Sequence, residues 1–296
     1  MLRVLPALLL FAALAAACGT SKTQPPAQSA PGVDVRVTTD WGSTAIASGR
    51  GRPGTVIAAT GGVAKVTTSY GGRFVTGLDG RMGDGTRDWI FWINGIEASV
   101  GAADIKVSAQ DSVWWDLHRW PGRVHVPAVV ASWPMPLTRG ITGQSPPITA
   151  DAPLATALRK AGANVSLPAA TSGPRALVGV GAALLERDPT WRAAIANPAA
   201  AGLTAWIDRK GRVRVWDAQA QMARLVPGAV AVIVATTDGF TASDAPVVVV
   251  AGITPKTATA AAQYLVSNPE ITRGTAALCL GPDNQIACVG GVGLVQ

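Results

Sequence analysis

Trp89-Ile90-Phe91-Trp92-Ile93-Asn94-Gly95 is the stretch that decides how the first half of this chain folds. Successive side chains of a strand point to opposite faces, so Trp89, Phe91 and Ile93 share one face while Ile90 and Trp92 share the other. Asn94-Gly95 then supplies the strongest short hairpin signal, because both central residues of such a turn need positive φ. Downstream, Ile105-Lys106-Val107 reads as a strand, Gln110-Asp111-Ser112 as a turn and Val113-Trp114-Trp115-Asp116-Leu117 as a further strand. Upstream, Val33 to Thr39 alternates with three valines on one face and breaks at Asp40-Trp41-Gly42-Ser43. Gly54 to Thr60 reads as a strand or a short helix. Gly71-Gly72 and Asp79-Gly80 mark turns around Phe74-Val75-Thr76-Gly77-Leu78. Residues 33–132 are therefore expected to form a small antiparallel β domain.

Within it, an ordered set of features stands between residues 54 and 118. These are Tyr70-Gly71-Gly72, the aromatic strand ending in Asn94-Gly95, Gly101 with Asp104, and Asp111 before Trp114-Trp115. The set resembles the transcobalamin-like C-terminal domain, a small β-rich module of corrinoid carriers and of bacterial exported proteins. The resemblance implies a module that covers one face of a corrinoid. In those carriers a separate α-helical barrel holds the rest of the ligand, and no segment here reads as that barrel. A partner-binding role for the module is therefore also open.

Tryptophan use sharpens the question. Trp89, Trp92, Trp114, Trp115, Trp120 and Trp133 crowd one short region of a chain with ten tryptophans. A flat aromatic face suits a planar ligand, whereas aromatics that fill a core contribute burial alone. Trp92 points away from Trp89 within its strand, and Trp115 points away from Trp114, so one sheet face cannot hold them all. Trp92, Trp115, Trp120, Tyr70 and Asn94 are the candidate ligand-binding residues. His118 and His125 flank Trp120-Pro121-Gly122 at a spacing that matches no zinc motif, and no metal is expected. Ser43, Ser69 and Ser172 sit in no nucleophile elbow, and the carboxylates are scattered, so no catalytic residue is nominated and a non-enzyme is expected. The formal charge of +7 is spread along the chain. Nucleic-acid binding, which needs clustered basic residues, is not expected.

Residues 133–151, rich in Pro, Gly and Ser, read as a connection, and 152–296 as an α/β domain. The continuous apolar runs Ala229–Ala235 and Pro246–Ala251 suit strands buried on both faces. Leu154–Gly162 reads as a helix, Ala182–Ile195 as helical with a break at Pro189, and Arg209-Lys210-Gly211 as a hairpin turn. A helix from about Lys256 to Val266 follows, with Thr254 as its cap. The fold class expected for the whole is α+β.

The front end carries an address. Arg3 precedes an apolar run to Ala17 that ends in small residues, the pattern of a secretory signal peptide over residues 1–17. The run is shorter than the roughly 20 residues a membrane span needs. Cys18 directly after it resembles the lipidated cysteine of the bacterial lipobox, although Leu14 sits one position earlier than that pattern's aliphatic residue. Residues 18–32 then read as a flexible leash. In an exported chain, Cys279 and Cys288 on either side of Gly281-Pro282-Asp283-Asn284 read as a disulfide closing a terminal hairpin. The whole describes a lipoprotein held by its anchor at the outer face of a bacterial cell membrane. It is expected to bind a small ligand, a corrinoid in the sharpest version, for uptake, or else an envelope protein partner. Apart from a bound corrinoid no cofactor is expected.

Overall fold

The computed structural model describes residues 31–119, 125–144, 146–216, 222–289 and 292–293. The leader, Cys18 and Trp120 lie outside these residues, and nothing of the leash before Pro31 is described. The compact unit runs from Pro31 to Gln296, and its architecture is β-rich with helices, consistent with α+β.

The first sheet orders its strands Thr44–Gly51, Val33–Thr39, Ser112–Arg119, Arg87–Ile93 and Ile96–Glu97. It is not purely antiparallel, as the alternating pattern suggested. Val33–Thr39 runs parallel to Ser112–Arg119, with Val37 opposite Trp115. A parallel pair needs a long crossover between its members. Here that stretch includes the helix Val56–Gly61, a three-stranded sheet (Val66–Ser69, Phe74–Leu78, Arg81–Met82) and the aromatic hairpin. Gly54–Thr60 proves to be both of its expected states, a two-residue strand followed directly by the helix that Thr55 caps. Val33, Val35 and Val37 are wholly buried against Trp89, Phe91, Ile93 and Trp115.

The Asn94-Gly95 turn forms as its sequence requires, with φ of 52° and 85° and Ile93 paired to Ile96. Its tip is buried. A Cβ on Gly95 would lie 2.5 Å from Pro136 Cγ and 2.8 Å from the Val129 carbonyl oxygen, so only glycine fits. Asn94 Nδ2 donates to Asp111 Oδ1 and to the Gly140 carbonyl, both at 2.9 Å, while its Oδ1 accepts from Ser112 N at 2.8 Å. Arg139 completes the cluster through Nη2 to Asp111 at 2.9 Å. The connecting segment is thus fastened to the hairpin tip. Asn94→Ala should lower the unfolding free energy by about 2 kcal/mol, since Asp111 and Gly140 lose a buried donor. A urea titration unchanged by the substitution would contradict this account of the tip.

Among the described residues the second sheet has eleven strands. Along it lie Val165–Ser166, Ile148–Ala150, Arg175–Val180 and Pro246–Gly252, all parallel, then Ala231–Thr237 antiparallel to the last of these. Leu278–Leu280, Ile286–Val289, Val292–Gly293, Val213–Trp216 and Ala205–Ile207 continue it, with Ala223–Leu225 beside Val213–Trp216. Ile233 and Ala235, with Val248 and Val250, meet Leu154, Leu158, Ala261 and Leu265 of the helices Ala152–Lys160 and Pro255–Ser267. Val232 and Val234, with Val247 and Val249, meet Leu184, Trp191 and Ile195 of the helices Gly181–Arg187 and Pro189–Ala196. Both apolar runs therefore have two buried faces. Pro189 occupies the first turn of the second helix of that pair, where its missing N–H is harmless, and Asp188 caps the turn through Trp191 N. Thr254 forms a capping box with Thr257. Cys279 and Cys288 are disulfide-bonded across neighbouring antiparallel strands.

A cluster of Trp41, Trp92, Trp114, Val126, Val129, Ala131 and Ala276 joins the back of the first sheet to the rest of the unit. Backbone bonds cross at the same place, from Ala276 N to the Trp41 carbonyl and from Val130 N to the Ala276 carbonyl.

Candidate ligand groove

The sheet assigns the tryptophans nominated above to different places. Trp92 and Trp115 are each 1% exposed, so neither presents an outer face. Trp115 turns toward the valine core, packs on Phe91 at 4.5 Å between ring centroids, and donates from Nε1 to Thr60 Oγ1 at 2.9 Å. Trp92 turns the other way, stacks on Trp114 at 4.6 Å and donates to the Val126 carbonyl at 2.8 Å. The strand parity was read correctly. What it could not show is that a second piece of the same chain covers the other face. Both indole N–H groups are engaged, as buried tryptophan requires. Asn94 is wholly buried in the hairpin tip, whereas Tyr70 is 84% exposed.

The aromatic strand does border an opening. A groove of about 290 Å³ has Trp89, Phe91 and Trp115 among its lining, with Arg73, Phe74 and Val75 on one side and the chain from Glu97 to Ala102 on another. Phe74 is 48% exposed and Val100 55%. Tyr70 meets Phe74 edge-on with ring centroids 6.5 Å apart, and Arg73 pairs with Asp104 at 3.0 Å. Of the nominated residues Trp115 lines the groove, and Tyr70 extends its apolar border through Phe74. Phe74 and Val100 were missed. The available signal was Phe74 two residues after the Gly71-Gly72 turn, which places an aromatic close to a reversal of the chain.

Glu97 closes one part of this region with its carboxylate engaged elsewhere. Oε2 accepts from Val126 N at 3.0 Å, and His125 Nδ1 stands 3.3 Å from Oε1. Burial pushes the Glu97 carboxyl above its ordinary value of 4.5, against the pull of His125 and of the Val126 amide. The fold therefore binds this proton more tightly than the unfolded chain does. Glu97's contribution to stability is fully present below the unfolded value and declines as pH rises through the raised folded one. Glu97→Gln keeps an acceptor for Val126 N and should flatten that decline on the alkaline side of pH 4.5. Urea midpoints across this range measure it, and a slope identical in both proteins would contradict the assignment.

Asp116, wholly buried, was one of the carboxylates too scattered to nominate. It accepts from Thr38 Oγ1 at 2.5 Å, Trp41 N at 2.8 Å, Gly42 N at 3.0 Å and His118 Nδ1 at 2.9 Å. Asp40, Trp41 and Gly42 all have positive φ, at 55°, 64° and 91°, which aims successive amides at one anion. Here the anion is the protein's own carboxylate. The Trp41 ring stacks on His118 at 3.6 Å. These partners all hold the 40–43 turn against the sheet, a structural arrangement. Among the described residues no three His, Cys, Asp or Glu side chains gather as a metal site.

Residues 55–119 match a family model described as a domain of unknown function, DUF4430. The match takes in the groove, the aromatic strand and its hairpin. No curated protein and no solved structure matches the chain.

Proposed function

We propose that this chain is an exported lipoprotein, tethered through Cys18, whose groove beside the aromatic strand binds a small apolar or planar ligand for uptake. The observation that carries the reading is the groove itself, an aromatic-lined opening within the matched module, with Tyr70, Phe74 and Val100 exposed beside it. Ligand sites run from roughly 300 to 1,000 Å³, so a groove of about 290 Å³ takes a small molecule or one edge of a large one. A corrinoid, the ligand implied by the transcobalamin-like resemblance over residues 54–118, would enter by an edge and leave most of its ring outside. The leader and the leash, read from sequence, supply the address; the role is binding, with no chemistry assigned.

Tryptophan fluorescence of the chain lacking residues 1–18, titrated with cyanocobalamin and corrected with free tryptophan, tests the corrinoid version. Saturable quenching that weakens at least fivefold in Phe74→Ala supports it. Absence of saturable quenching at high micromolar concentrations would remove the corrinoid.

A second reading has its own observation. Tyr70, Phe74, Met82 and Val100, 84%, 48%, 48% and 55% exposed, are large apolar side chains of the module that lack cover. An envelope protein docking there would make the chain an interaction lipoprotein, with the tryptophans as its core.

A further inference from the structure

The groove follows the edge of a strand, and that edge has unused hydrogen-bonding groups. Side chains of Trp89 and Phe91 belong to the valine core, whereas Ile90 packs on the opposite cluster. The groove touches Trp89, Phe91 and, across the strand pair, Trp115 on their shared face, and takes in Ile90 between them, with the chain from Ser99 to Gly101 as its wall on the other edge. Register gives the direction of each backbone group. Asn94 N donates to the Ser112 carbonyl, so the even-numbered residues of Arg87–Ile93 address Ser112–Arg119 and the odd-numbered ones face the other edge. On that edge Arg87 is engaged by Asp84, and the Phe91 carbonyl accepts from Ala98 N at 3.1 Å.

Beyond Ala98 the two chains part. The pairing of Arg87–Ile93 with Ile96–Glu97 covers only Trp92 and Ile93, and the chain from Ser99 to Gly101 becomes a wall of the groove. In this fork the N–H and C=O of Trp89 and the N–H of Phe91 have no partner among the described residues. Trp89 is only 5% exposed and Phe91 8%. More than nine in ten buried backbone groups are paired in folded proteins, so three in a row on one edge mark a place where something else pairs.

We infer that the edge at Trp89–Phe91 binds a secondary amide in extended form, by the pairing an added antiparallel strand would make. The Trp89 N–H and C=O engage one amide-bearing residue of the ligand, Phe91 N–H takes the next carbonyl, and the apolar flanks lie against Phe74 and Val100. Main-chain pairing supplies affinity in such additions, and the side pockets choose the flanks. This rests on the reading of the groove as a binding site and commits to an extended peptide segment as its occupant, because the free groups recur at Trp89 and Phe91 with the two-residue repeat of a strand.

The test uses the full chain, ¹⁵N-labelled, in detergent. It is titrated with acetyl-Val-Leu-Val-methylamide and with the depsipeptide in which an ester oxygen replaces the leucine N–H. The expected result is saturable binding, downfield shifts of the Trp89 and Phe91 amide protons, and affinity about fivefold lower for the ester, the loss of one hydrogen bond. Equal affinity for amide and ester, with Phe74→Ala weakening both, would overturn the edge pairing and leave an apolar groove. Binding of neither probe would overturn the pairing and the groove reading together. N-acetylleucine methylamide tests the occupant. A tenfold deficit relative to the tripeptide is the expected result for an extended peptide, and affinity equal to the tripeptide's would overturn that occupant in favour of a short amide-bearing arm.

Discussion

Arg175→Met should lower the unfolding free energy by about 3–5 kcal/mol, the cost of leaving the buried Asp188 carboxylate without its cation. Arg175 is wholly buried at the start of a central strand of the second sheet. Its guanidinium binds Asp188 through Nε at 2.7 Å and Nη2 at 3.1 Å, while Nη1 reaches Asp238 at 2.5 Å and the Gly173 carbonyl at 2.9 Å. Asp188 also caps the helix Pro189–Ala196, and Asp238 accepts from Thr190 Oγ1 and Gly173 N, both at 2.8 Å. Burial opposes the cation, but its hydrogen bonds to both aspartates outweigh it and hold the Arg175 pKa above its ordinary value. The charge is therefore present at every working pH, and removal of the side chain strands Asp188 against an apolar core. Methionine fills much of the space, so the loss measured by urea is electrostatic and hydrogen-bonding in origin. A loss below 1 kcal/mol would show that water or relaxation satisfies the aspartates.

Asp116→Ala comes next in size, with an expected loss of about 3 kcal/mol or more. Each buried donor left without an acceptor costs roughly 1–3 kcal/mol, and relaxation recovers part of the sum. Trp41 N–H, Gly42 N–H, the Thr38 hydroxyl and His118 would all lose their shared anion. The consequence extends to the segment at Gly274, just before the strand Leu278–Leu280. A Cβ on Gly42 would lie 2.1 Å from the Gly274 carbonyl oxygen, so the turn has no room to shift as it stands. Asp116→Asn retains one acceptor oxygen and should fall between the two. Amide proton shifts of Trp41 and Gly42 provide the local readout; if they stay in place in Asp116→Ala, the turn is held by something other than this carboxylate.

Much of this was legible in sequence because it depends on local rules. Period two put Trp89, Phe91 and Ile93 on one face, and Asn94-Gly95 closed the hairpin they start. Continuous valine runs announced strands with two buried faces, and Thr254 before Pro255 announced a cap. Other features depend on contacts between distant residues. The parallel partnership of Val33–Thr39 with Ser112–Arg119 joins segments separated by the whole module. Alternation reports how a strand is buried and is silent on the direction of its neighbour. Trp92 does point away from Trp89 and Trp115 away from Trp114, but the two nominated together do not share a face: the register sets Trp92 beside Trp114 and Trp115 beside Phe91, and the cover on Trp92 from Val126, Val129 and Ala276 comes from beyond the module. The groove was invisible for a related reason. It arises where a hairpin partner leaves its strand after Ala98, and no residue type at Ser99-Val100-Gly101 announces that the pairing ends there.

Whether the groove is the binding site is decided by ¹⁹F resonances of the 5-fluorotryptophan-labelled protein titrated with indole, a planar apolar probe small enough for about 290 Å³. A binding groove gives saturable shifts of Trp89 and Trp115, weakened in Val100→Asp, while Trp191 in the core of the second sheet stays fixed. Shifts confined to Trp191, Trp206 or Trp216, or none that saturate, would contradict it.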